Sequence, residues 1–285
     1  MTPNAPTSPS PQGSSPRGSS PQGCSPRHSF EGRVARIEFC DPARRNALDA
    51  TALDALVDAI RRTATARECD VLVLAGEGPA FCSGFDLAGC TEEPRRVETL
   101  LTLLSDAVGA LRALDVPVVA RVQGAALAGG CALLTACDFV VVARDAQVGY
   151  PVHRIGISPA VSVPSLFSRM GPAARALMMS NELLDGEAAL ARGLASRCVD
   201  ASALDGEVAA LVAELLAKGP QAMRATKRWI REIESRMPGD LGATPPRGAE
   251  AMRAACEASV ALGGGEEFAS MLRAFWAARA QREAR

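Results

Sequence analysis

Hydrophobic and polar positions predict alternating strands and helices in the first half of the chain. Residues 32 to 39 alternate as a strand with one buried face does, and a helical pattern follows over roughly residues 50 to 66. The β-branched run at residues 71 to 75 is typical of a buried parallel strand, and residues 95 to 114 predict a helix. Residues 139 to 143 predict another buried strand. This alternation favours an α/β fold with right-handed crossovers.

The stretch from Val116 to Asp138 predicts a buried strand that leads through a Gly- and Ala-rich turn into a buried helix. Gly129 and Gly130 lie where that helix begins, and the first N–H groups of a helix have no partner within it. The turn could therefore stabilise negative charge developing on a carbonyl oxygen. The alternative is that small residues here only allow the helix to pack closely on a sheet.

From Pro164 onward the pattern predicts helices only. Their apolar faces could pack on a second subunit, or they could simply cover the sheet of their own chain. The predicted helices cover roughly residues 171 to 179, 185 to 193, 204 to 217, 221 to 237, 248 to 261 and 266 to 283.

The first 27 residues are of low complexity and repeat S-P-Q-G and S-P-R-G at a five-residue period. A segment so rich in Pro, Ser and Gly buries too little apolar surface to offset the entropy cost of ordering. We predict a disordered tail over residues 1 to 27 and a folded part that begins near Phe30.

Composition excludes several classes of function. With 48% hydrophobic residues and a formal net charge of -1, nothing favours a nucleic-acid or membrane partner, and no apolar run is long enough to cross a bilayer. The nine cysteines include no C-x-x-C pair, which predicts reduced thiols and a cytoplasmic protein. With only two histidines, a His-based zinc site is not expected, and we predict no metal.

Several motifs in order resemble the crotonase family of enoyl-CoA hydratases and isomerases, and the resemblance covers roughly residues 30 to 280. The motifs are A-R-R-N-A-L at 43 to 48, G-x-G-P-A-F-C-S-G-F-D-L at 76 to 87, V-P-V-V-A-R-V-Q-G-A-A-L-A-G-G-C at 116 to 131, C-D at 137 and 138, and A-R-x-L-M-M-S-x-x-x-L-D-G-x-x-A-x-x-x-G-L at 174 to 194.

The resemblance implies a crotonase-like α/β spiral of ββα turns with a helical C-terminal trimerisation region, assembled as a homotrimer or hexamer. Residues 28 to 195 would form the core with the acyl-CoA site, and residues 196 to 285 the oligomerisation region. The N–H groups of Phe85 and Gly129 would form an oxyanion hole for the thioester carbonyl. Acyl-CoA would itself be the substrate or ligand, so no separate cofactor is implied.

The same resemblance places twelve further positions at the CoA or acyl site. One of them is Lys227, for which a solvated helix face is an equal alternative. These positions are Arg44, Arg45, Ala47, Ser83, Gly84, Asp86, Leu87, Gly130, Ala132, Val152, Ala160 and Lys227.

The sequence departs from the family at its catalytic positions. Hydratases of the family use two glutamates, and the matching positions here are Ala132 and Val152. A third position, an aspartate in related hydrolases, dehalogenases and dienoyl isomerases, is Ala160. Alanine and valine cannot transfer a proton or attack a carbon, so the usual glutamate-activated water has no carrier.

Two nearby side chains could replace the glutamates. His153 is the only imidazole of the predicted folded part and can exchange protons near neutral pH. Tyr150 could act as an acid or a hydrogen-bond donor. For each residue a purely structural role remains open.

Three functions follow. The first is an acyl-CoA enzyme that stabilises a thioester enolate and carries out hydration, isomerisation, decarboxylation or hydrolysis. The second is a non-catalytic acyl-CoA binding or carrier protein, and the third is a subunit that contributes mainly to assembly. The two-donor oxyanion hole favours the first, because such donors are directed at developing charge.

Overall fold

The computed structural model describes residues 24 to 235, apart from residues 89, 91, 92 and 94, together with the isolated residues 270, 277 and 281. The strands of this part of the chain are β1 (Arg27–Glu31), β2 (Val34–Phe39), β3 (Val71–Gly76), β4 (Val118–Val122), β5 (Ala125–Leu127), β6 (Phe139–Ala143), β7 (Gln147–Gly149), β8 (Leu183–Leu184) and β9 (Arg197–Val199). The helices are α1 (Ala50–Thr65), α2 (Arg95–Ala113), α3 (Gly129–Thr135), α4 (Val163–Met170), α5 (Ala173–Met179), α6 (Gly186–Ala191), α7 (Leu204–Leu216) and α8 (Pro220–Ser235).

The strands form two sheets. The larger has the order β1-β2-β3-β4-β6-β9, and all its pairs are parallel except β1 with β2. The smaller has the order β5-β7-β8, with β5 and β7 parallel. This confirms the predicted α/β class.

Successive turns of the chain add one strand to each sheet, so the fold is a spiral of ββα turns. β4 joins the larger sheet, β5 the smaller, and α3 follows; β6 and β7 repeat the same order. A parallel bridge between Cys82 and Ala126 extends the smaller sheet to the preceding turn. Phe85 and Gly129 each lie three residues after one of these bridged residues, so they occupy matching positions in neighbouring turns.

Helices cover the larger sheet and enclose the core. The Asp49 side chain caps α1 by accepting a hydrogen bond of 2.8 Å from the Ala52 N–H. Leu53, Leu56 and Ile60 of α1 are fully buried at helical spacing. α7 packs on β3, β4 and β6, and α1 packs on α2. Among the described helices, none is long and apolar enough to cross a bilayer.

The amino-terminal end of α3 approaches the chain segment at Cys82 so closely that only glycine fits. A Cβ atom added at Gly130 would overlap the carbonyl oxygen of Cys82 and lie 2.9 Å from its Cβ. The absence of a side chain at Gly130 therefore sets the distance between two turns of the spiral.

α8 is tied to the larger sheet by a buried ion pair. Lys227 is 7% exposed, and its Nζ donates to the carboxylate of Asp138 at 2.6 Å and to the carbonyl oxygen of Val116 at 2.7 Å. The same carboxylate accepts a hydrogen bond of 2.7 Å from the Val118 N–H at the start of β4. Of the two alternatives for Lys227, the solvated helix face is therefore excluded.

The prediction of helices only after Pro164 is wrong, because β8 and β9 lie there. β8 has two residues and β9 three, too few to produce a strand pattern in the sequence. β9 pairs with β6, so the core sheet extends past residue 195, the predicted end of the core. The predicted helices at 248 to 261 and 266 to 283 lie outside the described residues, except for residues 270, 277 and 281, which are helical.

The folded part begins earlier than Phe30. β1 starts at Arg27 and pairs antiparallel with β2, from Arg27 opposite Glu38 to Glu31 opposite Val34. The run R-H-S-F-E has no alternating apolar pattern, so the sequence did not show this strand. His28 in β1 is a second imidazole of the folded part, and its Nε2 lies 3.1 Å from the Thr63 hydroxyl. Most of the predicted tail lies outside the described residues.

Two cysteines predicted to be reduced are paired. Cys24 and Cys40 form a disulfide, whereas Cys69, Cys82, Cys90, Cys131, Cys137 and Cys198 are free. Cys24 precedes β1 and Cys40 follows β2, so the antiparallel pairing of these strands brings the two residues together. Sequence spacing alone contains no sign of this pairing.

We expect Gly130→Ala to lower the free energy of unfolding by about 1–3 kcal/mol, because the added methyl group overlaps the Cys82 backbone. Gly109→Ala is the matched control. Gly109 lies inside α2 with nothing within 4 Å of an added Cβ, so this variant should gain about 0.5–1 kcal/mol. Urea unfolding measures both, and equal effects would contradict the close approach.

We expect Lys227→Met to lower the free energy of unfolding by about 2 kcal/mol, because the Asp138 carboxylate loses its cation. The loss should be smaller than for a fully buried pair, since the Asp138 side chain is 28% exposed. Arg61→Met is the control: its 3.6 Å pair with Asp58 is well exposed, and the change should stay within about 0.5 kcal/mol. Thermal unfolding measures both variants. Equal losses of stability in the two would show that the ion pair of Lys227 with Asp138 does not stabilise the fold.

Candidate active site

The N–H group of Phe85 points away from the hydrogen bonds that surround it. On one side of Phe85, the Gly84 carbonyl accepts from the Leu48 N–H at 2.8 Å; on the other, the Asp86 N–H donates to the Leu48 carbonyl at 2.9 Å. Leu48 and Phe85 form a parallel bridge, and in this pairing the N–H group of Phe85 faces away from Leu48. It makes no hydrogen bond to any residue that the structure describes.

The N–H group of Gly129 is free in the same way at the start of α3. Ala128, just before it, has φ 51° and ψ -111°, which is a strained backbone for a residue with a Cβ. The Ala128 N–H donates to the Gly149 carbonyl at 2.9 Å, and no side chain caps the helix. Within the described ranges, the Gly129 N–H has no acceptor.

The two N–H groups belong to segments in direct contact. A Cβ at Gly84 would lie 3.8 Å from the Gly129 nitrogen, and a Cβ at Gly129 would lie 3.4 Å from the Phe85 ring. Gly84 itself has φ 102°, a conformation that L side chains rarely adopt. The structure thus brings Phe85 and Gly129 together, as the resemblance implies for an oxyanion hole.

Both segments border a pocket of about 170 Å³. Ser83, Ser158, Ser162 and Tyr150 carry the hydroxyl groups of its lining, and the remaining side chains there are apolar. Among the described residues that line it, none carries a carboxylate, an imidazole, an ammonium or a guanidinium group. The pocket is therefore a neutral, mostly apolar site beside two free N–H donors.

Two of the three positions that match acidic residues of the family lie in this pocket. Ala132 and Val152 line it and are buried, as the resemblance predicts for catalytic positions. Ala160 is exposed and is not part of the lining, although its neighbours Pro159 and Val161 are.

Tyr150 has a buried hydroxyl and belongs to the lining of this pocket. The residue is 1% exposed and lines the pocket, and its hydroxyl oxygen has no hydrogen-bond partner in the described part of the chain. The Ser162 hydroxyl and the Cys131 thiol lie close to it without forming a hydrogen bond of normal geometry. Burial raises the pKa of Tyr150 well above its ordinary value, so the phenol stays protonated at neutral pH.

His153 is not brought to the oxyanion hole. It lies on an exposed 3-10 turn, His153–Ile155, and lines a different cavity of about 250 Å³ together with Phe167 and Met179. The two cavities share Ser158 and Pro159 as a common wall. The structure thus separates the two side chains that the sequence offered as replacements for the glutamates.

The segment assigned to CoA contains one arginine with internal partners and one without. Arg44 contacts the carboxylates of Asp86 at 2.6 Å, Asp41 at 2.7 Å and Asp49 at 3.3 Å, which leaves its guanidinium committed to the fold. Arg45 is exposed, and its side chain makes no ion pair with a described residue. Its carbonyl oxygen accepts from the Ser83 N–H at 3.0 Å, which connects it to the Phe85 segment.

Of the other predicted binding positions, some line the pocket and some do not. Leu87 and Ser83 line the pocket, whereas the Asp86 carboxylate faces Arg44 and Ala47 is only half-buried beside this segment. Lys227 lines a different cavity and is held by Asp138, so the structure does not bring it to the oxyanion hole.

Sequence reasoning missed Asn46, which shapes the segment from residue 43 to residue 48 that the resemblance places at the CoA site. It is 2% exposed with φ 56°, and its Nδ2 donates to the carbonyl oxygens of Ala80 at 2.8 Å and Glu77 at 3.0 Å. Its Oδ1 accepts from the Asp41 N–H at 2.9 Å. An Asn directly after a turn was the available signal, because Asn tolerates the left-handed conformation better than most residues.

Comparison with known proteins identifies the family of this chain. The family model described as enoyl-CoA hydratase/isomerase matches residues 29–238. A Mycobacterium tuberculosis protein named "Probable enoyl-CoA hydratase echA6" is 34% identical over 204 residues, which cover 70% of this chain and 79% of that protein. The "Crotonyl-CoA hydratase" of Syntrophomonas wolfei is 29% identical over 213 residues, covering 71% and 79%.

Solved structures share the fold. An enoyl-CoA hydratase from Mycobacterium smegmatis superimposes with a TM-score of 0.78 at 28% identity, covering 88% of this chain and 95% of that one. AtuE from Pseudomonas aeruginosa gives 0.77 at 30% identity, covering 88% and 96%. The crotonase fold expected from the motifs is confirmed, and since the family model matches most of the chain, this protein belongs to the enoyl-CoA hydratase/isomerase family.

Proposed function

We propose that this protein is an acyl-CoA enzyme that stabilises a thioester enolate, with the N–H groups of Phe85 and Gly129 donating to the thioester oxygen. The observation that carries the proposal is the pair of free N–H donors beside a neutral pocket. In such a pocket, fixed donors stabilise developing negative charge more strongly than water-exposed donors do.

Tyr150, rather than His153, is the non-standard polar group of this proposal, because it lines the pocket and His153 does not. Its raised pKa keeps the phenol protonated, so Tyr150 acts as a hydrogen-bond donor and not as a base at neutral pH. The cytoplasmic location and the trimeric or hexameric assembly inferred from the sequence belong to the same proposal.

A second candidate is a non-catalytic acyl-CoA binding protein. It is favoured by Ala132 and Val152, because the described lining of the pocket contains no group that accepts a proton readily. In that case the two N–H donors would bind the thioester and leave it unaltered.

The test of the function is incubation of the full chain with enoyl-, 3-hydroxyacyl-, malonyl-type and saturated CoA thioesters, followed by liquid chromatography and mass spectrometry. We expect a product from at least one thioester. Gain or loss of water identifies hydration or its reverse, and loss of CO2 identifies decarboxylation. Release of free CoA identifies hydrolysis, and a shifted retention time at unchanged mass identifies isomerisation. Thioesters that bind and return unchanged would support the second candidate instead.

The use of the oxyanion hole is tested by binding of butanoyl-CoA and of S-butyl-CoA, a thioether that lacks the carbonyl oxygen. We expect the thioether to bind roughly tenfold more weakly, because both N–H donors lose their acceptor. Equal affinities measured by calorimetry would argue against both candidates, since each places the thioester carbonyl at Phe85 and Gly129.

For the CoA segment, we expect Arg45→Gln to weaken binding of butanoyl-CoA roughly three- to tenfold, because Arg45 is an exposed cation without an ion pair among the described residues. Binding of butanoyl-pantetheine, which lacks the nucleotide phosphates, should not change. Equal losses for both ligands would show that the variant acts through the fold and not through a phosphate.

A further inference from the structure

The Cys24–Cys40 disulfide closes the open end of the hairpin formed by β1 and β2. Cys24 precedes β1 and is exposed, and Cys40 follows β2 and is half-buried. The disulfide therefore lies at the surface, where a small thiol can reach it without unfolding of the sheet. In a reducing compartment, a disulfide is usually transient and redox-sensing.

Asp41 connects this disulfide to the segment from residue 43 to residue 48. It directly follows Cys40, and its N–H donates to the Asn46 Oδ1 at 2.9 Å. Its carbonyl oxygen accepts from the Asn46 N–H at 2.8 Å, and its carboxylate accepts from the Arg44 Nε at 2.7 Å. The conformation of the segment therefore depends on the position of Asp41.

Cys24 contacts the same aspartate from the other side of the disulfide. The pKa of Asp41 lies below its ordinary value: burial acts to raise it, but hydrogen bonds from Arg44 and from the Cys24 N–H group outweigh burial. The disulfide holds Cys24 in place, because it attaches this residue to the chain immediately before Asp41. Reduction therefore releases Cys24 and removes one donor from the carboxylate that binds Arg44.

Most free thiols among the described residues cannot take part in thiol–disulfide exchange. Four of the six are buried, and burial raises the pKa of each of these four thiols. The thiolate is the reactive form, so these thiols are unreactive near neutral pH. They are Cys69, Cys82, Cys131 and Cys137.

We propose that Cys24–Cys40 is a reversible exchange site for small thiols of the glutathione type, and that its reduction loosens the segment from residue 43 to residue 48. The thiolate of one small thiol attacks one sulfur of the disulfide, and the other cysteine leaves as a thiolate and takes up a proton. A second small thiol attacks the mixed disulfide, which releases the second cysteine and the small-molecule disulfide. Two electrons thus pass from two small thiols to the protein, and oxidised glutathione reverses the reaction.

The loosened segment contains Arg45, the exposed cation that we propose to contact the phosphates of CoA. Reduction should therefore weaken binding of butanoyl-CoA roughly two- to fivefold and leave binding of butanoyl-pantetheine unchanged. This effect on binding rests on the proposed function, whereas the exchange site and the loosening of the segment do not.

The test is hydrogen exchange of the full chain in mostly oxidised and in mostly reduced glutathione, followed by mass spectrometry. We expect the amides of residues 41 to 48 to exchange roughly fivefold faster after reduction, because the Asp41 carboxylate loses a hydrogen bond. Alkylation of the same samples should label Cys24 and Cys40 only in the reduced buffer. Cys90 and Cys198, which are free and half-buried, should be labelled alike in both buffers.

The variant Cys24→Ser combined with Cys40→Ser removes the disulfide, so its residues 41 to 48 should exchange fast in both buffers. Cys198→Ser is the matched control, because Cys198 is a free thiol in β9. Its response to glutathione should equal that of the original protein. A response that is lost in the control would assign the effect to another thiol and overturn the proposal.

Two further outcomes would overturn the inference in the original protein without any variant. The exchange site is refuted if millimolar glutathione leaves the disulfide intact, or if both cysteines are alkylated in the oxidised buffer. The loosening is refuted if residues 41 to 48 exchange equally in both buffers although the disulfide has been reduced.

Binding measured by calorimetry separates this inference from the proposed function. Equal affinity of the oxidised and reduced forms for butanoyl-CoA would overturn the effect on binding. Failure of butanoyl-CoA to bind either form would overturn the proposed function, while hydrogen exchange and alkylation would still decide the exchange site and the loosening.

Discussion

The close contact between the start of α3 and the segment from Cys82 to Phe85 is the constraint on which the site depends. Gly130 allows it, because any side chain there would overlap the Cys82 backbone. Gly84 contributes from the other segment through its positive φ. As a result, two residues of neighbouring turns of the spiral line the same pocket, and the N–H group of neither makes a hydrogen bond to a described residue. The donors are main-chain atoms, so their position is set by the packing of the fold and costs no side-chain entropy.

Strain accompanies this contact. Ala128 adopts φ 51° between β5 and α3, and such a conformation in a residue with a Cβ costs on the order of 1–3 kcal/mol. The pairing of β5 with β7 and the hydrogen bond from Ala128 to Gly149 hold the strained residue in place. Stability contributed by the sheet thus offsets the strain immediately before Gly129, whose N–H has no partner among the described residues.

Several charged side chains among the described residues connect parts of the fold, and no charged residue belongs to the described lining of the pocket. Arg44 contacts the carboxylates of three aspartates, and Lys227 joins α8 to the sheet through Asp138. Within the described lining, the pocket has hydroxyl groups and main-chain donors but no ionisable group that titrates near neutral pH. The described lining contains no base that could activate water, as the two glutamates of the family's hydratases do. The proposed stabilisation of an enolate relies on main-chain donors and needs no charged side chain in the lining.

The motifs of the sequence determined the family, the α/β class and the positions of the two N–H groups that we propose as oxyanion donors, because Gly-rich turns at fixed spacing leave few alternative backbones. The loss of the glutamates at Ala132 and Val152 was also visible in the sequence alone. The tertiary structure decided which polar residues border the pocket. It places Tyr150 in the lining, leaves His153 on an exposed turn and pairs Arg44 and Lys227 with internal carboxylates. The structure also revealed β9, which pairs with β6 far away in the sequence, and β1, which has no alternating apolar pattern. The pairing of β1 with β2 in turn brings Cys24 and Cys40 together as a disulfide. Sequence patterns report local backbone preference and burial, whereas the direction and the partners of a side chain depend on elements that only folding brings together.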